Sequence, residues 1–129
     1  MSEDTVIGCI GLGVMGEPIA ANLLKKSGDR VRGFDLRPDP LERLAKGGLE
    51  VAASAEEAAR HADAVFLSLP GGNELAEVAG RLLGAMGQGS VLVDLSTAPV
   101  DLTRDLAAQC GTRGIAYADA PVARTRFAA

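Results

Sequence analysis

Six residues near the start of the chain, Gly11-Leu12-Gly13-Val14-Met15-Gly16, and an acid nineteen positions beyond them, Asp35, have the types and spacing to hold an anion and a sugar. Each glycine has a separate role. Gly11 permits a tight turn, Gly13 lets backbone approach a ligand with no Cβ in the way, and Gly16 lets a helix and a strand pack closely. The amides at the start of a helix carry roughly half a unit of positive charge, so a helix opening here would aim that charge at a diphosphate. A carboxylate about twenty residues further on accepts hydrogen bonds from the ribose hydroxyls and repels a 2′-phosphate, which favours NAD over NADP. Leu36 and Arg37 follow it and are counted with the cofactor contacts. Arg37 keeps NADP open, because a guanidinium can turn toward a phosphate.

Such a glycine string also arises by chance in a chain with sixteen glycines, so its meaning depends on what flanks it. Val6-Ile7-Gly8-Cys9-Ile10 is nearly all apolar and suits a strand covered on both faces. From Glu17 to Lys26, Ile19, Ala20, Leu23 and Leu24 fall at helical spacing, with Pro18 in the first turn and Gly28 at the end. Arg30 to Asp35 reads as a strand. A short helix follows, started by Pro38 and Pro40 and stopped by Gly47-Gly48. Leu49-Glu50-Val51 is a third strand, and Ser54 with Glu57 makes a capping-box pattern for a helix through His61. Ala64 to Leu69 is a buried strand, followed by a helical stripe of Leu75, Val78, Ala79, Leu82 and Leu83. Val91 to Leu95, a helix from Pro99 to about Cys110, and Ile115 to Asp119 complete the pattern. Six strands alternating with helices predict an α/β, Rossmann-type, doubly wound parallel sheet of strand order 3-2-1-4-5-6, with ligands at the carboxyl ends where the order reverses.

At 129 residues the chain is one domain, 1–129, and its 47% hydrophobic and 23% charged residues are those of a folding globule. A net charge of -4 with no basic block argues against nucleic acid, and three Phe, one Tyr and no Trp leave little to stack on bases. Apolar runs of five or six residues are far short of the roughly 18 that span a bilayer, and the acidic start lacks a signal peptide's basic region. A cytoplasmic location is expected. Cys9 and Cys110 are expected to be free thiols rather than a disulfide.

Gly11 through Leu23, GLGVMGEPIAANL, resembles the N-terminal signature of the β-hydroxyacid dehydrogenases, the family of 3-hydroxyisobutyrate dehydrogenase and tartronate semialdehyde reductase, related to 6-phosphogluconate dehydrogenase. Three further segments agree in order. Leu67-Ser68-Leu69-Pro70 resembles the family's fourth-strand end, Asp94-Leu95-Ser96-Thr97 its DxST motif, and Asp119-Ala120-Pro121-Val122 the start of its substrate-binding DAPVSGG motif. The resemblance implies that Leu69 and Pro70 line the cofactor cleft and that Thr97 lies near the nicotinamide. Ser96 would be its structural companion, counted with the substrate contacts, and Pro121 and Val122 would pass the reacting end. Where the family has Ser-Gly-Gly, this chain has Ala123-Arg124-Thr125. Arg124 could then hold a substrate carboxylate by a charge-assisted bond, with Ala123 beside it.

The family passes hydride between a 3-hydroxyacid and the nicotinamide, with a lysine from a following helical domain moving the proton at the hydroxyl. Lys25, Lys26 and Lys46 are the lysines of this chain, all at helix ends away from the expected cleft, so no catalytic residue is assigned. The short-chain dehydrogenase alternative fails because Tyr117 is followed four residues later by Pro121, not Lys. His61 is expected to be structural or surface, and one His with two separated cysteines gives no metal site. The expected protein is therefore the cofactor domain of a 3-hydroxyacid oxidoreductase without its helical catalytic and dimer-forming part, inactive alone. Surface left bare by that domain would favour self-association. The alternative is a stand-alone nucleotide-binding or sensing module.

Overall fold

The computed structural model describes residues 5–13, 15–26, 28–69, 72–96 and 100–119. Val6–Ile10 forms β1, buried along its whole length. It is apolar throughout because it is sandwiched: Val6 and Ile10 pack into one core cluster, Ile7 and Cys9 into another on the opposite face. Gly16–Lys26 forms α1, with Glu17 in its first turn and Lys25 and Lys26 in its last, each matched in sign to the helix dipole. Arg30–Phe34 is β2. Pro38–Ala45 is α2, where Pro38 fits the first turn because an amide there would have no intrahelical acceptor. The helix is closed by Gly48 at φ +110°, after which the Leu49 amide donates back to the Leu44 carbonyl at 3.1 Å. That bond takes Leu49 out of the ladder, so β3 is Glu50–Val51 alone.

Ala55–Ala59 forms α3, capped by the Ser54 hydroxyl, which accepts from the Glu57 amide at 3.1 Å, while the Glu57 carboxylate reaches back to the Ala53 amide at 3.2 Å. The expected extension to His61 does not occur. Arg60 is extended and His61 turns left-handed at φ +62°, because buried Ala62 must swing under the sheet before the next strand begins. His61 is thus exposed on a turn, not on the helix. Ala64–Leu67 is β4, Gly72–Ala85 α4, Val91–Asp94 β5, Val100–Thr112 α5 and Ala116–Asp119 β6. β4 stops two residues short of the expected Leu69, whose amide leaves the ladder for the Ser96 hydroxyl.

All strands pair in parallel in the order β3-β2-β1-β4-β5-β6, as the alternation predicts. The helices α3, α4 and α5 share one core cluster with the sheet, while α1 and α2 close the other face over β1 and β2. Gly8 lies at the closest approach of α3, where a Cβ would come 2.6 Å from the Ala58 carbonyl oxygen. On the α1 side of β5 and β6, Val91, Val93 and Ala118 stay half-exposed and Ala116 exposed, with no described helix over them.

Candidate functional site

The sheet order reverses between β1 and β4, and the glycine turn lies at the carboxyl end of β1 beside that switch. The Ser68 amide donates to the Ile10 carbonyl at 2.9 Å and the Gly11 amide to the Phe34 carbonyl at 3.0 Å, which ties the turn to both neighbouring strands. Gly11 has φ +89°, and a Cβ there would collide with the Ser68 carbonyl. A Cβ on Gly16 would collide with the Gly11 carbonyl. Gly13 differs from both: a Cβ there would meet nothing but the Arg37 guanidinium, at 3.7 Å, so its backbone faces the groove. Gly11 and Gly16 thus sit where a side chain has no room, and the backbone at Gly13 is left open.

Leu12 is fully buried, so it meets the groove with backbone alone. Its amide donates to Asp35 Oδ2 at 2.7 Å, and its carbonyl accepts from Arg37 Nη2 at 3.3 Å. Asp35 Oδ1 accepts from the Arg37 amide at 2.8 Å and from Arg37 Nε at 3.1 Å. Burial opposes ionisation of Asp35, but the bonds from Arg37 and Leu12 outweigh it and hold the carboxyl below its ordinary range. Asp35 is thus an anion facing the glycine turn, with lone-pair capacity left on Oδ2. Arg37 is exposed, yet its guanidinium reaches both Asp35 and the Leu12 carbonyl. Leu36 is 89% exposed, an apolar surface next to the acid. Met15 is half-buried, and its carbonyl accepts from the Ile19 amide at 3.3 Å, following the Gly13 carbonyl, which accepts from the Glu17 amide at 3.1 Å.

On the other side of the switch, Leu69 packs against the core, and its amide donates to Ser96 Oγ at 2.8 Å. Ser96 was expected among the substrate contacts. Its side chain is instead buried, accepting from Leu69 and turned toward the Leu67 carbonyl at 3.5 Å, which is the geometry of a structural companion. Sequence reasoning missed its anchor. Asp94 is fully buried and accepts from the Ser96 amide at 2.9 Å and from the Tyr117 hydroxyl at 2.8 Å. An acid inside the apolar run of β5 signals that a donor must be folded against it. Val14, Pro70, Thr97, Pro121, Val122, Ala123 and Arg124 lie outside the described residues.

No lysine comes near this cleft. Lys25 and Lys26 end α1, about 15 Å along its axis from the glycine turn at 1.5 Å per residue, and Lys46 follows α2. Among the described residues, no cluster of His, Cys, Asp and Glu could hold a metal ion, and no helix is long and apolar enough to cross a membrane.

Residues 6–129 match the family model of the NAD binding domain of 6-phosphogluconate dehydrogenase. The chain belongs to that family. This NAD-binding domain is 35% identical over 125 residues to mitochondrial 3-hydroxyisobutyrate dehydrogenase of Mus musculus, covering 95% of the chain and 37% of the relative. It is 36% identical over 125 residues to 2-(hydroxymethyl)glutarate dehydrogenase of Eubacterium barkeri, covering 95% and 41%. The solved 3-hydroxyisobutyrate dehydrogenase of Mycobacterium tuberculosis, with L-serine, superposes with a TM-score of 0.88 at 35% identity, covering 96% of this chain and 42% of that one. The NAD-binding domain thus spans about two fifths of the length of these relatives. The resemblance carried by the four ordered motifs is borne out, and with it the parallel-sheet fold and NAD as the cofactor of the domain.

Proposed function

We propose that this chain is the cofactor-binding part of a 3-hydroxyacid dehydrogenase. It would bind NAD(H) across the carboxyl ends of β2, β1 and β4, with the rest of such an enzyme supplying the proton-transferring lysine and most of the substrate pocket. The single observation that carries the reading is the joint geometry of Asp35 and the glycine turn: an ionised carboxylate bonded to the Leu12 amide, beside a Gly13 backbone open to the groove. Bound there, the cofactor supplies two-electron hydride chemistry. The chain's own residues would do the holding. Amides of the glycine turn and the first turn of α1 take the diphosphate, the Asp35 carboxylate accepts from the adenosine ribose, and exposed Leu36 gives the adenine ring an apolar edge.

Selectivity for NAD over NADP is part of this reading, since Asp35 would face a 2′-phosphate with like charge. A small 3-hydroxyacid as substrate is carried over from the relatives, among them 3-hydroxyisobutyrate dehydrogenase and 2-(hydroxymethyl)glutarate dehydrogenase. Thr97, Pro121, Val122, Ala123 and Arg124 are proposed to lie at the reacting end. A cytoplasmic setting belongs to the same proposal. NADH fluorescence titration of the 129-residue chain, run with a turnover assay on 3-hydroxyacids, tests the proposal. Saturable NADH binding without turnover is expected. Lack of binding would overturn it, and turnover by the isolated chain would overturn the assignment of the catalytic base to another domain.

A further inference from the structure

Beside the ribose end of the glycine turn runs a groove of about 450 Å³, passing Leu12, Gly13 and Pro18 to reach Glu17, Arg37 and Arg43. Two guanidinium groups line it, and both are already matched. Arg37 donates to Asp35. Arg43, on α2, donates through Nε and Nη2 to the two oxygens of Glu17, on α1, at 2.7 and 2.8 Å. This two-pronged arrangement is the one in which a guanidinium binds a carboxylate or a phosphate best, so the fork that a phosphate would use is filled by Glu17.

The four groups form one electrostatic set. The Arg43 hydrogen bonds hold the Glu17 carboxyl below its ordinary range, with Arg37 adding to that effect and burial and Asp35 opposing it. These two carboxylates and two guanidiniums cancel, and Asp39, which also acts on Arg43, leaves the surroundings slightly negative. A neutral ribose diol therefore enters without opposition, whereas a 2′-phosphate, carrying close to two negative charges, meets filled forks and two anions.

We propose that Glu17 is a specificity-determining residue: by engaging Arg43 it withholds that arginine from a 2′-phosphate and so sets the chain for NAD against NADP together with Asp35. This rests on the dinucleotide reading above. Glu17 lies in the first turn of α1, and its part in the choice is to neutralise a cation across the groove rather than to touch the sugar.

Dissociation constants for NADH and NADPH, measured by fluorescence titration of the whole chain in a phosphate-free buffer, test the idea. Glu17→Gln is expected to tighten NADPH binding about tenfold while NADH changes by less than about twofold. Arg43→Gln, which removes the arginine and leaves Glu17 an unpaired anion, should not tighten NADPH and should widen the preference for NADH, and Glu17→Gln with Arg43→Gln should lose the gain. The proposal is overturned if Glu17→Gln binds NADH normally yet leaves the ratio of the two constants unmoved, or if the gain survives in the double variant. A parent chain that binds neither cofactor would bring down the dinucleotide reading itself, and the role of Glu17 with it.

Discussion

Asp35 accepts a 2.7 Å hydrogen bond from the amide of Leu12, 23 positions earlier, and so fixes the end of β2 against the glycine turn that follows β1. One carboxylate thereby shapes the phosphate-facing turn and presents itself to the sugar. Asp35→Asn keeps the volume but removes the charge, and is expected to weaken NADH binding about tenfold and to narrow the gap to NADPH, as read by calorimetry. The pH dependence follows from the lowered carboxyl. A depressed acid contributes fully above its unfolded value of about 3.9 and loses that contribution as pH falls through its folded value. NAD+ affinity should therefore hold level from neutral pH to about 4 and decline below. A decline already under way near pH 6 would contradict the Arg37 and Leu12 bonds as the cause.

The three glycines of the turn should separate in their effects. Gly16→Ala drives a Cβ into the Gly11 carbonyl, backbone that cannot step aside, and should lower stability by about 2–3 kcal/mol in chemical denaturation. Gly13→Ala meets only the far end of Arg37 and should leave stability within about 0.5 kcal/mol. NADH affinity should nonetheless fall in Gly13→Ala, because the added methyl occupies the face the diphosphate approaches. Equal losses of stability in both variants would contradict this division.

Three weak acids, the buried thiols of Cys9 and Cys110 and the half-buried phenol of Tyr117, should make the fold sensitive to alkali, since burial raises all three. Burial pushes the Cys9 thiol up to about 12. Burial and the bond to Asp94 raise the Tyr117 phenol as well. A raised group gives its full contribution below its unfolded pKa, about 8.5 for Cys and 10 for Tyr, and loses it as pH climbs toward the folded value. Urea midpoints should thus fall from about pH 9 upward. Cys9→Ala should flatten the first part of that fall at a cost of about 1 kcal/mol at neutral pH. An unchanged slope in Cys9→Ala would exclude the thiol as its source.

The face of β5 and β6 that no described helix covers presents Val91, Val93, Ala116 and Ala118 in adjacent register. An apolar surface of this kind favours association, so light scattering should show mass rising with concentration. Val93→Lys should shift the chain toward monomer while NADH binding persists. If association is unchanged by Val93→Lys, another surface is responsible.

The sheet order was legible because β1, β4 and β5 are apolar runs spaced by helices, a pattern with few chiral solutions. The glycine turn and Asp35 were legible because their spacing reflects a local strand-turn-helix unit. The pairs between separate elements were not. Glu17 meets Arg43 only because α1 and α2 pack side by side, and nothing local marks either residue as a partner. Tyr117 forms no tyrosine-lysine motif in the sequence, and its spacing gives no sign that its hydroxyl answers buried Asp94 on the adjacent strand. The early end of α3 was hidden too, since Arg60 and His61 continue the helical composition and it is the route of buried Ala62 that turns the chain.

The clasp around Asp94 has a mechanical consequence. An edge strand ordinarily frays from its free side, one rung at a time. Withdrawing Tyr117 would leave a buried Asp94 oxygen without its hydrogen-bond donor, and the Ser96 amide shares that same side chain while the Ser96 hydroxyl anchors Leu69. Peeling β6 from the sheet must then unsettle the tips of β4 and β5 in the same event, so this half of the cleft yields as a unit or stands as one.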